Sequence, residues 1–388
     1  MREMKHDAPV FTAAPPRSIL LVCTRRIGDV LLATPLIRSM KAQWPDTPID
    51  MLVFRGTEGV LEHNPDIRRV ITVKQRTGIF ERAADIMRLW RRHELACAVN
   101  GSDRSLIYAW VAGRKRVGVV NADRVTALAR WTLNKIALDR HLEMHTVSSV
   151  LALAPLIGVA PLGEVVAPGI GDDPARRKGF EARFDAPPAV RPEQPLVVLH
   201  PSPMFTYKQW SINGWAETIQ WLYSRGYAIA LSGGPATDER KYAEQVIATA
   251  NVPVLNCVGD LSFGETAEMF RRAKLYIGPD TGATHVAAAC GTPTIALFGP
   301  TDPVRWAPWP YQWPAGNEPW SRHGSALRGN VYLMQGEGSC VPCRGEGCDG
   351  HPGSDSQCLM QLPSQRVIAI AAQLLGLPAS NAVVTLRS

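Results

Sequence analysis

The sequence predicts an α/β protein of two domains, each a parallel sheet with helices on both faces. Three observations carry this. The chain has 388 residues, which suits two domains at roughly 100–200 residues each. Short apolar β runs alternate with amphipathic helical segments, the order that builds parallel sheets. The alternation stops over residues 161 to 195 and then begins again; this stretch holds prolines at 161, 168, 174, 187, 188, 192 and 195, the composition of a linker. Hydrophobic residues make up 46% of the chain and charged residues 20%, ordinary values for a folded protein that exclude disorder, collagen-like repeats and coiled coil.

In the first half, Ile19 to Cys23 reads as a strand, Thr24 to Asp29 as a polar turn, and Val30 to Gln43 as a helix spaced through Val30, Ala33, Ile37 and Met40. Strands follow at Ile49 to Phe54, Val70 to Val73, Leu95 to Val99 and Arg116 to Val120. After one short helix at Asp173 to Phe184, the second series opens at Leu196 to Leu199. It continues through helix Gly214 to Arg225, strand Ala228 to Leu231, helices Asp238 to Ala250 and Phe263 to Ala273, strand Leu275 to Ile277, helix Thr284 to Cys290 and strand Thr294 to Phe298. The expected division is a tail over 1–17, a first domain over 18–168, and a second over 169–388 that carries a Cys-rich loop at 340–358. Ligand loops lie at the carboxyl ends of such strands, so the expected site is the cleft between halves.

A formal charge of +7, from 42 Lys and Arg against 35 Asp and Glu, points to anionic partners: nucleic acid, a nucleotide diphosphate or anionic lipid. Met1 to Pro16 has no apolar secretory core. The longest apolar stretch, Val147 to Ala160, contains Pro155 and two serines and is shorter than the ~20 residues of a spanning helix. The expected location is the cytoplasm.

Three segments carry chemistry. Thr24-Arg25-Arg26-Ile27-Gly28-Asp29-Val30 joins a strand to a helix N-terminus, where N–H groups and the helix dipole favour an anion and Gly28 permits close approach. Asp29 is either the helix cap or a base that removes a proton from an incoming hydroxyl. In His200-Pro201-Ser202-Pro203-Met204-Phe205-Thr206-Tyr207-Lys208-Gln209-Trp210, Lys208 can reach a phosphate as a mobile charge and Ser202 and Thr206 offer hydroxyls; the alternatives are a solvated lysine and a Trp210 used for packing. The third, Ile277-Gly278-Pro279-Asp280-Thr281-Gly282-Ala283-Thr284-His285-Val286, runs from a strand through a small-residue turn into a helix. The N–H groups of Thr281 to Thr284 would form a nest for a diphosphate, with Asp280 accepting from sugar hydroxyls beside it. His285 belongs to this set or only to helix packing.

Four segments in order, Ile27 to Leu32, Lys208-x-Trp210 with Trp215, Ser232-Gly233-Gly234-Pro235, and Asp280 to Ala287, resemble the ADP-heptose:lipopolysaccharide heptosyltransferases, glycosyltransferase family 9, from about Ser18 to about Pro363. The resemblance implies a GT-B fold, two Rossmann-like domains facing a central cleft, and inverting, metal-independent transfer from an ADP-heptose to a hydroxyl of a lipopolysaccharide core or similar anionic acceptor. It implies no organic cofactor. Asp29 matches the family's general base, Lys208 the lysine that neutralises the donor diphosphate, and Ser202 a hydroxyl assisting it. Asp280 matches the aspartate on the donor sugar, Thr281, Gly282 and Ala283 the diphosphate cradle, and Asp238 or Glu239 an acidic residue near the ribose. Pro203 and Met204 depart from the pattern, standing where several members have a second hydroxyl.

Cys23, Cys97, Cys257 and Cys290 sit in apolar surroundings and read as buried hydrophobes. Cys340, Cys343, Cys348 and Cys358 have the count and spacing of a four-sulfur Zn or Fe site, with His351 a substitute ligand; free thiols and redox disulfides are the alternatives. A comparable cluster occurs in the family's autotransporter-modifying branch, for which the resemblance implies a metal and oligomeric assembly.

Phe80, Ala83, Met87 and Trp90 recur at helical spacing beside Arg82, Arg88, Arg91 and Arg92. A stripe packed on the first sheet is expected; the alternative is that these arginines, with Arg104, Arg114, Lys115 and Arg116, meet an anionic acceptor or a membrane surface. Two other functions compete with transfer: a GT-B sugar-nucleotide epimerase or hydrolase, and a non-enzymatic nucleic-acid binder built on the cysteine cluster. Few aromatics and ungrouped arginines beside the cluster argue against nucleic acid as a partner.

Overall fold

The computed structural model describes residues 8–11, 14–76, 78–185 and 194–378; Pro187, Pro188 and Pro192 of the expected linker lie outside them. The chain forms two compact units, Met1–Ala167 with Gln312–Glu318, and Pro168–Tyr311 with Pro319–Ser388.

The first unit is a six-stranded sheet of β1 (Ile19–Cys23), β2 (Ile49–Phe54), β3 (Arg69–Val73), β4 (His93–Ala98), β5 (Gly113–Asn121) and β6 (Lys135–Asp139). All neighbours are parallel, in the order β3-β2-β1-β4-β5-β6, which is the Rossmann order. β1 is buried along its whole length, because helices cover both faces of such a sheet and leave no polar side to alternate with.

The helix expected over Val30 to Gln43 is two helices, Ile27–Leu31 and Thr34–Gln43. Pro35 is the cause. It has no N–H to give to the Leu31 carbonyl, and the Thr34 hydroxyl takes that acceptor at 2.7 Å instead. The stripe expected to pack on the sheet also differs: in helix Ile79–Leu89 it is Leu89 that is buried, with Ile86 packed against the core. Met87 is 71% and Trp90 51% exposed. β6 escapes the sequence pattern because it lies at the sheet's edge, where Lys135 and Ile136 are only half buried and Leu138 is exposed.

The second unit repeats the plan with β7 (Leu196–Leu199), β8 (Ala228–Leu231), β9 (Leu255–Asn256), β10 (Leu275–Pro279), β11 (Thr294–Phe298), β12 (Ala326–Arg328) and β13 (Val331–Gln335). The order β9-β8-β7-β10-β11-β13 is the Rossmann order again, with β12 added antiparallel on β13. Trp210 and Trp215 are both fully buried, ring centroids 4.9 Å apart, and the Trp210 indole N–H donates to the Leu362 carbonyl at 2.8 Å. Trp210 is therefore a core anchor that holds the segment bearing Lys208. Among the described residues no helix is long and apolar enough to cross a membrane.

Candidate functional site

In each unit the strand order reverses between the first and fourth strands, β1/β4 and β7/β10, and ligands of open α/β sheets bind beyond the carboxyl ends of the strands at this point. The segments singled out in the sequence fall there: Thr24 to Asp29 follows β1, Ser202 to Lys208 follows β7, and Asp280 to His285 follows β10.

In the second unit, a single 3₁₀ turn, Thr206–Lys208, presents Lys208, whose ammonium pairs with the Asp280 carboxylate. The two side chains are 18% and 8% exposed, so the pair is shielded yet open on one side. The ammonium also lies 5.7 Å from the Tyr207 ring centroid. Beyond Asp280, Thr281 caps helix Gly282–Ala289, its side chain accepting the Thr284 N–H at 3.4 Å. The N–H groups of Gly282 and Ala283 have no intrahelical acceptor, and both residues are half-buried.

Other expected donor-binding residues are placed differently. The buried Thr284 hydroxyl donates to the Pro279 carbonyl at 2.5 Å and lies 3.0 Å from the Tyr276 hydroxyl, so it locks the strand-to-helix turn. Ser202 is 2% exposed and its hydroxyl donates to the Glu239 carbonyl at 3.2 Å. Glu239 in turn accepts the Gly234 N–H at 2.6 Å, and burial holds its carboxyl above the usual range, whereas Asp238 is exposed in the first turn of helix Thr237–Ala250. His285 is 6% exposed, and burial, with Lys208 adding and Asp280 opposing, pushes its imidazole down to about 4. Its Nδ1 has no partner among the described residues.

Sequence reasoning gave no role to His200. It directly follows β7 with Nδ1 3.0 Å from the Ser232 hydroxyl, and burial pushes it down to about 4. The pairing ties the loop after β7 to the Gly-Gly turn after β8, and only its place directly after an apolar strand signalled it.

In the first unit, Arg26 occupies the cap position and its side chain does not cap the helix, and Asp29 is the third residue of helix Ile27–Leu31. Asp29 therefore lies within the first turn and not at the cap itself, because the helix starts earlier than its apolar spacing implied. The carboxylate is half-buried and helps burial to raise the Cys23 thiol. The loops after β1 and β4 are joined: the Ser102 and Thr24 hydroxyls lie 3.2 Å apart, and Ser102 caps helix Asp103–Ala112 by accepting the Ser105 N–H at 3.3 Å.

The sequence pattern of the family described as glycosyltransferase family 9 (heptosyltransferase) matches residues 88–315, more than half of the chain. The chain belongs to glycosyltransferase family 9. It is 27% identical over 290 residues to lipopolysaccharide heptosyltransferase 3 of Escherichia coli, covering 73% of this chain and 82% of that protein. In structure it resembles a family 9 glycosyltransferase of Veillonella parvula with a TM-score of 0.72 at 18% identity, over 92% of this chain and 97% of that one. The E. coli ADP-heptose lps heptosyltransferase II follows with a TM-score of 0.68 at 18% identity, over 92% and 98%. At these identities the structural likeness is one of fold, two Rossmann-like units of the GT-B class.

The cysteine loop of this family 9 chain does not assemble as its spacing predicts. Cys340, Cys343 and Cys348 are exposed and Cys358 half-buried, all as free thiols. Sulfur acceptors are used locally: Cys343 Sγ accepts the Gly345 N–H at 3.5 Å and Cys348 Sγ the Gln357 N–H at 3.4 Å. Burial, then the neighbouring Cys343, Cys348 and Cys340, pushes the Cys358 thiol up to about 11. Among the described residues no three His, Cys, Asp or Glu side chains come together as metal ligands, so the expected Zn or Fe set is not met. Of the scattered cysteines, Cys23, Cys97 and Cys257 are buried as expected; Cys290 is half-buried at its surface, and burial pushes its thiol up to about 12.

Proposed function

We propose that this chain transfers a heptose from ADP-heptose to a hydroxyl of a lipopolysaccharide core, with inversion at the anomeric carbon. The donor and acceptor classes are those in the names of its relatives. The observation that carries the proposal is the shielded Lys208–Asp280 pair beside the open N-terminus of helix Gly282–Ala289, at the switch point of the second sheet.

In the proposed reaction the acceptor oxygen gives its proton to the Asp29 carboxylate and forms a bond to the anomeric carbon. The bond from that carbon to the diphosphate oxygen breaks, and ADP departs with the electron pair. Lys208 and the N–H groups of Gly282 and Ala283 stabilise the charge that develops on the diphosphate. Asp280 accepts from sugar hydroxyls and orients Lys208. Ser202, Thr284 and His285 act from behind, fixing the loops, and Glu239 is the better placed of the two acidic candidates near the ribose. Stabilisation of ADP by these groups requires no divalent ion, so the rate should be equal in EDTA and in Mg²⁺. A structural Zn or Fe on the cysteine loop is no part of the proposal. Peripheral contact with an anionic membrane is, supported by exposed Met87, Trp90 and Trp131 next to arginines.

The test is incubation with ADP-heptose and a heptose-deficient lipopolysaccharide, following ADP release and the mass of the acceptor. One heptose added per ADP released is expected. Turnover of the donor without any acceptor would favour the alternatives, ADP release indicating a hydrolase and an isomeric sugar nucleotide an epimerase.

A further inference from the structure

The amino ends of the first sheet carry a second charged site, at the opposite end of the strands from Asp29. Asp50, the second residue of β2, is fully buried. Arg68 grips it with Nε and Nη2 at 2.9 and 2.7 Å, Arg69 adds Nη2 at 3.0 Å, and His93 Nε2 lies at 3.1 Å. Burial alone would favour the neutral acid, but the bonds from His93 and Arg68 and the charges of Arg68 and Arg69 overcome it and keep Asp50 ionised. One guanidinium would balance this carboxylate. The site has three: Arg68, Arg69 and Arg92 line, with His93, a cavity of about 690 Å³.

The surplus charge is open to the cavity. Arg68 and Arg69 are 51% and 59% exposed. Their remaining N–H groups are not used on Asp50, and Arg92 is exposed. Glu94, the nearest other carboxylate along β4, accepts the Arg17 backbone N–H at 2.8 Å. His93 is 2% exposed, yet its Nδ1 has no partner among the described residues. The turn before β4 is fixed rather than loose: Arg91 has φ of 51° and donates from its backbone N–H to Val111 and from Nη1 to the Gly113 carbonyl, at 2.9 and 2.8 Å.

We infer that this cavity binds a phosphate-bearing ligand, gripped by the guanidinium groups of Arg69 and Arg92 while Arg68 and Asp50 hold the floor. Planar guanidinium forks match phosphate oxygens, and a net charge of +2 from three arginines and one carboxylate leaves the cavity in need of an anion. The phosphate comes either from a soluble ligand or from a lipid headgroup, a shared chemistry that the test separates.

The cavity is independent of the proposed donor site, which Lys208→Ala weakens first. Pyrophosphate is titrated calorimetrically into full-length Lys208→Ala, and into the same protein carrying Arg69→Ala and Arg92→Ala. Arg68 is kept so that Asp50 stays paired, and thermal unfolding confirms the fold. The expected result is measurable binding to Lys208→Ala that weakens about tenfold for each guanidinium removed. Equal affinity in the two proteins, or no binding to Lys208→Ala, would overturn the site. Sedimentation of otherwise wild-type protein with phosphatidylglycerol vesicles, absent with phosphatidylcholine and lost in the Arg69→Ala/Arg92→Ala variant, assigns the phosphate to a headgroup. Unchanged sedimentation alongside lost pyrophosphate binding assigns it to a soluble ligand. Lost sedimentation with unchanged pyrophosphate affinity reduces the cluster to general surface charge and refutes the inference.

Discussion

Replacing Lys208 by Ala should weaken ADP binding in a way that Asp280 partly controls. The Lys208 ammonium offers a charge-assisted contact to the diphosphate, worth about 1.5–3 kcal/mol, or roughly 10- to 150-fold in Kd. The structure adds a second effect. Asp280 is 8% exposed and its cation is Lys208, so Lys208→Ala leaves a shielded carboxylate uncompensated. Breaking a fully buried pair costs about 3–5 kcal/mol and losing an exposed one at most about 1 kcal/mol. With the lysine 18% exposed, an intermediate destabilisation of about 2 kcal/mol is expected. The stranded carboxylate would also repel the incoming diphosphate. Adding Asp280→Asn to Lys208→Ala should therefore recover part of the ADP affinity and part of the stability. It should not recover affinity for ADP-heptose, whose sugar would lose its carboxylate acceptor. Isothermal titration with both ligands, paired with thermal unfolding, completes the double-mutant cycle. An unchanged Kd for ADP in Lys208→Ala, or effects of the two substitutions that simply add, would refute the reasoning.

Three further outcomes follow from the same geometry. His200 and His285 each sit near 4 in the fold against about 6.5 in an unfolded chain. Their folded values are depressed, so the unfolded state takes up protons that the fold refuses as pH drops below about 6.5. Stability should fall between pH 7 and pH 5, by up to about 2 kcal/mol for each histidine, and urea unfolding of His285→Gln should show a shallower slope; an identical slope would count against a buried neutral imidazole. Asp29→Asn should cut kcat by at least about 100-fold with ADP affinity intact, and calorimetric loss of ADP binding would remove Asp29 from the role of base. Trp210→Phe should cost about 1–3 kcal/mol, because the Leu362 carbonyl loses its donor in the core; a melting temperature within a degree of wild type would contradict that anchor.

The sheets were legible because their inner strands are covered on both faces. β1, β7, β8 and β11 each coincide with the continuous apolar run read from the sequence, and nothing in such a run needs alternation. Edge strands gave weaker signals. β6 is half exposed and bounded by Lys135 and Asp139, and β9 is two residues long. β13 is almost fully buried, but it lies beyond a long Gly- and Pro-rich stretch that hides the alternation it completes. In helix Ile79–Leu89, Met87 and Trp90 of the expected stripe are exposed while Leu89 is buried, and the Phe80 side chain lies outside those described.

The segments that follow β1, β7 and β10 were legible in the sequence, and the pairings within them were not. Lys208 and Asp280 are 72 positions apart, and no spacing rule joins them; only the adjacency of β7 and β10 does. Ser202 was read as offering a ligand hydroxyl and Thr284 a ligand N–H, because sequence does not show that both hydroxyls already have acceptors. Here the acceptors are backbone carbonyls of Glu239 and Pro279. The cysteine loop meets the same limit, since spacing counts sulfurs but does not aim them.

The most direct test of the central claim is the transfer assay with purified protein, ADP-heptose and heptose-deficient lipopolysaccharide, run beside Asp29→Asn and Lys208→Ala. The account predicts one heptose added per ADP released by the wild-type chain, with transfer lost in Asp29→Asn despite intact ADP binding, and donor affinity weakened roughly 10- to 150-fold in Lys208→Ala. Transfer at the wild-type rate by both variants would contradict it.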